Sequence, residues 1–304
     1  MYSQFFGNFL LINKYVTKEQ LFDAMQKQSN DRIKLGTLAI SEGLMTAEEV
    51  DEVIIQQTHE DKKFGELAIE QGFLTNDEVL QLLKAQVPSF LQLAQTFVDE
   101  EILTNQDLAN IITEYRSESE IYDLDFTSDD QKDTIEKLFD NFFVMSETPL
   151  SHYGRMYLEL LFNNFIRFIG EDFTPLDGSA ITEFAPEKCV CQKVIGDYSV
   201  VTYIDMDEDT AVEFASRYVG DQFSEYDEYV SASLEDFINL HNGVFIVNVS
   251  NEDNTDLELD IPYGVKDPLL IFDKKAYLFP VMYSFGVVNI ILEVIKIETE
   301  DSEV

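Results

Sequence analysis

The chain has 304 residues, room for two domains, and its 45% apolar content, with 24 Phe and 14 Tyr, supplies packed cores and excludes a disordered protein. A formal net charge of -39 and a pI near 4.1 oppose phosphate backbones and anionic lipid, so neither nucleic acid nor a membrane surface is an expected partner. No stretch approaches the ~20 apolar residues of a membrane helix. The first six residues, Met-Tyr-Ser-Gln-Phe-Phe, lack the positive region of a signal peptide, so a cytoplasmic protein without membrane insertion is expected. Cys189 and Cys191 are one residue apart, unsuited to an unstrained mutual disulfide, and read as small core residues of a strand. His59, His152 and His241 are scattered, so no metal site is expected.

From the N-terminus the first signal is an internal repeat. Thr17, Thr46, Thr75 and Thr104 recur every 29 residues, and ten residues before them stand Gly7, Gly36, Gly65 and Ala94. Three residues after each Thr comes Gln20, Glu49, Glu78 or Asp107, a capping box in the first three and a weaker variant with Asp107. Apolar pairs follow at four-residue spacing: Leu21/Met25, Val50/Ile54, Val79/Leu83 and Leu108/Ile112. Each unit therefore reads as a short helix, a turn and a second, capped helix. The repeats are expected to fill residues 1–117.

The middle pair of units resembles the N-terminal domains of type II secretion and pilus ATPases of the MshE type. Lys34, Gly36, Gly43 and Gln57, then Lys63, Gly65, Gly72 and Gln86, fall in register with that pattern, across a five-residue spacer. Some members bind cyclic di-GMP, so the resemblance implies these eight residues as a nucleotide site. The sequence departs from the pattern: Lys34 and Lys63 replace Arg and lose its planar bidentate recognition. Ala39 and Ala68 replace larger residues, and Phe5 and Gln92 fill the basic position in the outer units. The alternative is a helical module that docks a second protein partner, its glycines marking tight turns.

Residues 118–149 form an acidic linker, with apolar spacing from Asp133 to Met145 that predicts a helix. Beyond it, Met156 to Ile169 predicts an amphipathic helix stopped at Gly170. Cys189–Ile195 and Tyr198–Ile204 flank a Gly196-Asp197 hairpin signal. Asp207–Val219 and Glu225–Asn242 predict helices. Val244–Val249, Leu257–Ile261, Leu269–Phe272, Ala276–Met282 and Val287–Ile297 read as strands, which gives an α+β domain with a largely antiparallel sheet over residues 150–298, before an acidic tail at 299–304.

This order of elements, with Asp-Thr-Ala-Val-Glu-Phe-Ala-Ser-Arg-Tyr-Val-Gly at 209–220 and Asp236-Phe-Ile-Asn239, Gly243 and Pro262 in the positions of the family motif, resembles the CheX/CheC phosphatases of chemotaxis. The resemblance implies hydrolysis of the aspartyl phosphate of a CheY-like response regulator. It implies that Asn239 orients the attacking water, that an acid pairs with a lysine of the regulator, and that Asn242, Gly243 and Pro262 contact partner or substrate. Magnesium would belong to the regulator, and a homodimer is also implied. Asp236 stands where the family has Glu, one methylene shorter; Glu235, at i,i+4 from Asn239, is a second candidate for the acid. Two readings stay open: an enzyme depending on Asn239, and a non-catalytic adaptor in which Asp236 and Glu235 are solvated helix charges.

Overall fold

A computed structural model describes residues 2–27, 32–85, 90–120, 151–253 and 256–297, and the chain divides into two compact units, 1–130 and 131–304. The predicted Asp133–Met145 helix, the tail at 299–304 and Gln86 lie outside the described residues.

Among its described residues the first unit holds four helix pairs: α1 Tyr2–Ile12 with α2 Lys18–Lys27, α3 Leu35–Ser41 with α4 Ala47–Gln57, α5 Phe64–Glu70 with α6 Asn76–Lys84, and α7 Phe90–Asp99 with α8 Asn105–Glu120. Each repeat threonine starts the second helix of its pair. Thr46 Oγ1 accepts the Glu49 N–H at 3.2 Å while Glu49 accepts the Thr46 N–H at 2.7 Å. Thr75 with Glu78 and Thr17 with Gln20 repeat the exchange. Asp107 closes the same box on Thr104, at 2.9 and 3.1 Å, so the shorter carboxylate is not the weaker variant that the sequence suggested.

The turn within each pair needs one left-handed residue. Gly43 (φ +67) and Gly72 (φ +78) supply it in the middle units; Lys14 (φ 59) and Glu101 (φ 57) do so in the outer ones, each 29 residues from its neighbour. The apolar stripe differs from expectation in the middle units. Val50 and Val53 are buried, as is Leu82, whereas Ile54 is 44% and Leu83 63% exposed. The inward face there runs at i,i+3 because α4 and α6 turn their i+4 residues away from the neighbouring helices.

In the second unit the first described element is α9, His152–Phe168, capped by Ser151. Then come β1 Phe173–Pro175, β2 Ser179–Phe184, β3 Val190–Gly196, β4 Tyr198–Asp205, α10 Glu208–Val219, α11 Glu228–Asp253, β5 Leu257–Leu259, β6 Tyr263–Gly264, β7 Leu270–Tyr283 and β8 Gly286–Ile297. The strands form one antiparallel sheet in the order β1-β7-β8-β4-β3-β5, with β2 also on β7 and β6 also on β3. This is the expected α+β class. The helices cover one sheet face, where Val190, Val194, Val200, Ile204, Phe279 and Ile290 are buried. Phe237 of α11 anchors the helix layer, stacked on Phe165 of α9 at 5.8 Å and edge-on to Phe214 of α10 at 5.1 Å.

Five elements differ from the sequence reading. Val244–Val249 is helix, not strand: α11 runs through Gly243, and His241, Asn242, Phe245 and Val249 continue its buried stripe at helical spacing. The two predicted strands from Leu269 to Met282 are one strand, β7. The short β1, β2 and β6 were not anticipated.

Three substitutions test these placements. Left-handed backbone at a non-glycine residue costs roughly 1 kcal/mol, so Glu101→Gly is expected to raise the denaturation midpoint, and Gly72→Ala to lower it. Asp205, at the end of β4, is buried, and desolvation raises its carboxyl to about 6, although the Glu187 N–H at 2.7 Å partly offsets this. A pKa raised on folding favours the protonated form, so its contribution is complete below the unfolded carboxyl pKa near 4 and is lost as pH rises through about 6. Asp205→Asn, neutral throughout, is therefore expected to be more stable than wild type by about 1–3 kcal/mol at pH 7, the gap closing near pH 4, in denaturant titrations at both values.

Candidate functional site

The candidate residues sit on and beside α11. Asp227 opens this helix by accepting the N–H groups of Tyr229 (2.9 Å) and Val230 (3.0 Å). Its inward stripe, Val230, Leu234, Phe237, Ile238, His241, Asn242, Phe245 and Val249, is buried, and a second stripe carrying Asp236 and Asn239 is exposed. The two acids lean to opposite sides. Asp236 Oδ2 accepts the Tyr218 O–H from α10 at 2.6 Å, which, after burial, helps push the Tyr218 phenol up. Half-buried Glu235 lies against β6, its Oε1 3.8 Å from where a Cβ on Gly264 would be.

Asn239 points toward β3, where its Oδ1 accepts from Gln192 Nε2 at 2.8 Å. The same nitrogen donates to the backbone carbonyl of Asp260 at 2.8 Å. Asp260 is tied back to β3 through its N–H to the Lys193 carbonyl at 2.9 Å. It starts the segment Asp260-Ile261-Pro262, which joins β5 to β6 along the β3 edge and forms a rim beside Asn239. On that rim Ile261 is 80% exposed and Tyr263 is also exposed, while Pro262 is half-buried.

The structure thus brings Asn239, Glu235 and the rim segment holding Pro262 to one side of α11, with Asp236 on the adjoining side. Asn242 does not belong with them. It is fully buried, its Oδ1 taking the Tyr157 O–H at 2.7 Å and its Nδ2 donating to Gln192 Oε1 at 2.9 Å, so the contact role expected for it is corrected to an internal one. Gly243 has open space where a Cβ would be, so packing within the chain does not require a glycine there. Gln192, from a strand position that sequence reasoning passed over, is the residue that links Asn239, Asn242 and the Asp260 carbonyl. Its signal was a polar side chain on the inward face of Val190-Cys-Gln-Lys-Val194. His241 is also buried; Asn164 Nδ2 donates to its Nδ1 at 3.0 Å, and burial lowers the imidazole to about 3, keeping it neutral.

In the first unit, Lys34, Gly36 and Gln57 line one cleft of about 340 Å3 with Ile54, Phe64 and Asp99. Lys34 Nζ is 2.5 Å from Asp99 Oδ1, which also accepts from Gln95 Nε2 at 2.6 Å. Gln57 Nε2 donates to the Lys62 carbonyl at 3.1 Å, and Lys63 N–H to Glu66 at 3.1 Å. A Cβ on Gly36 would be 2.8 Å from Val50 Cγ1, and one on Gly65 3.1 Å from Leu35 Cδ2, so both glycines serve helix contact. An anion in this cleft would meet the Asp99 carboxylate where the resemblance implies a binding lysine.

Among the described residues no group of three or more His, Cys, Asp or Glu could hold a metal ion, and no helix is long and apolar enough to cross a membrane. No protein-family model matches the sequence, and no curated protein matches it. Among solved structures, the chemotaxis protein CheX from Desulfovibrio desulfuricans is 9% identical, covering 48% of this chain and 100% of that one, with a TM-score of 0.42. A CheC-like superfamily protein from Shewanella is 14% identical, covering 47% of this chain and 97% of that one, with a TM-score of 0.42. A chain of the CheX–CheY–BeF3–Mg complex from Borrelia burgdorferi is 14% identical over 47% of this chain and 97% of its own, with a TM-score of 0.38. At these identities and TM-scores the likenesses transfer no role to any residue of this chain.

Proposed function

We propose that residues 150–298 act as a phosphatase on a CheY-like response regulator, with α11 as the working face. The observation that carries this reading is the exposed Asn239 amide, held by a buried partner in the motif position of the family that the sequence resembles. An acyl phosphate is already reactive, so its hydrolysis mainly requires a water placed in line with phosphorus. Water oxygen bonds to phosphorus as the bond to the aspartyl oxygen breaks, leaving one carboxylate and one dihydrogen phosphate. Asn239 Oδ1 accepts one bond from Gln192 and keeps a second lone pair for a water O–H, without adding charge.

Glu235 or Asp236 pairs with a lysine of the regulator. Asp236 is the shorter acid and is held by Tyr218, and Glu235 shares the side of α11 that Asn239 occupies. The magnesium ion belongs to the regulator. The N-terminal repeats are proposed as a docking module for a second protein. The Lys34–Asp99 pair weighs against cyclic di-GMP as their ligand.

The test is the decay of phosphorylated CheY-like regulators from the source organism, with and without the full chain. Wild type is expected to accelerate decay, and Asn239→Ala to lose about 10²-fold of that acceleration. Glu235→Gln and Asp236→Asn identify the anchoring acid by which of them raises KM. Binding with no acceleration across the regulator set would instead establish the adaptor reading.

A further inference from the structure

We propose that Gln192 is a positioning residue that fixes which way round the Asn239 amide faces, through a buried relay running Tyr157–Asn242–Gln192–Asn239. This rests on the phosphatase reading for its kinetic consequence, though not for its geometry.

The polarity of the relay follows from its two ends. The Asp260 carbonyl is a backbone group that can only accept, so the Gln192 side chain must turn its Nε2 toward it, at 2.8 Å. That leaves Oε1 facing α11, where Asn242 Nδ2 donates at 2.9 Å. Asn242 must then present Oδ1 to Tyr157, whose single O–H donates at 2.7 Å. The second N–H of Gln192 meets Asn239 at 2.8 Å and demands an acceptor, so Oδ1 of Asn239 is held on the β3 side with its second lone pair left for a water, and Nδ2 points away from Gln192. Every amide in the chain is set without freedom to flip.

Gln192, Asn242 and Tyr157 are each 0% exposed. A polar chain in an apolar layer is tolerated only when its members are satisfied, and an apolar core would have served the fold alone. Here the one exposed end is Asn239. The arrangement gives a surface amide, ordinarily a freely rotating group, a fixed donor side and a fixed remaining lone pair. A reacting water therefore meets one geometry rather than several rotamers, the condition for in-line attack.

Gln192→Met keeps volume and removes the donors. In full-length protein it is expected to lower kcat for regulator dephosphorylation by about 10–100-fold with KM unchanged. In the Asn239→Ala background it should cause no further fall. The Asn239 side-chain amide resonances should move to the shifts of a solvent-exposed, unrestrained asparagine, while the Phe237 and Ile238 backbone resonances stay in place. An equal fall in kcat in the Asn239→Ala background, or an Asn239 amide unmoved by the substitution, would overturn the proposal. If Gln192→Met does not fold, Tyr157→Phe removes only the distal hydroxyl; it should move the same resonances and lower kcat by roughly 2–10-fold. Unmoved resonances there count against the relay. Should wild type fail to accelerate decay, the phosphatase reading falls, and the amide resonances still decide the relay.

Discussion

The second unit is organised around one backbone acceptor, the carbonyl of Asp260, and the glutamine that answers it. Because that oxygen cannot donate, Gln192 has one allowed orientation, and it joins Asn242 and Asn239 of α11 to the rim segment. The surrounding fold makes this possible. β3 lies one strand from the sheet edge, with β4 on one side and β5 and β6 on the other, so its inward Gln192 reaches both the helix layer and the segment between β5 and β6. Phe237, packed between Phe165 and Phe214, holds α11 at the depth where Asn239 and Gln192 meet.

The first unit is built on local chemistry repeated at a fixed interval. A threonine caps, an acid or amide closes the box, and a left-handed residue turns the chain. The glycines that match a nucleotide-binding pattern are accounted for by helix approach and turn geometry alone. Of the two lysines of that pattern, Lys34 is already paired with Asp99. In a chain of net charge -39, such an internal acid–base pair leaves little positive potential to draw an anion in.

What the sequence made legible followed the range of each interaction. Capping and turn signals act over three or four residues, and the four threonines, the Gly170 stop after α9 and the Gly196-Asp197 hairpin were all read from neighbours. Lys14 and Glu101 were readable only as the 29-residue images of Gly43 and Gly72, since neither residue type announces a left-handed turn. Val244–Val249 misled because a β-branched run looks like a strand; the helical period was carried there by His241 and Asn242, two polar residues inside a buried stripe. Asn239 was found by motif, but its support was not. Gln192 lies 47 residues from Asn239 and 68 from Asp260, and no local pattern encodes pairings of that separation.

The most direct measurement is a structure of the full chain bound to a CheY-like regulator carrying a stable acyl-phosphate mimic. The account predicts that the regulator's active site covers α11, with Asn239 within hydrogen-bond reach of a water in line with the mimic and Glu235 or Asp236 paired with a regulator lysine. A regulator seated elsewhere on this chain, leaving Asn239 in open solvent, would contradict it.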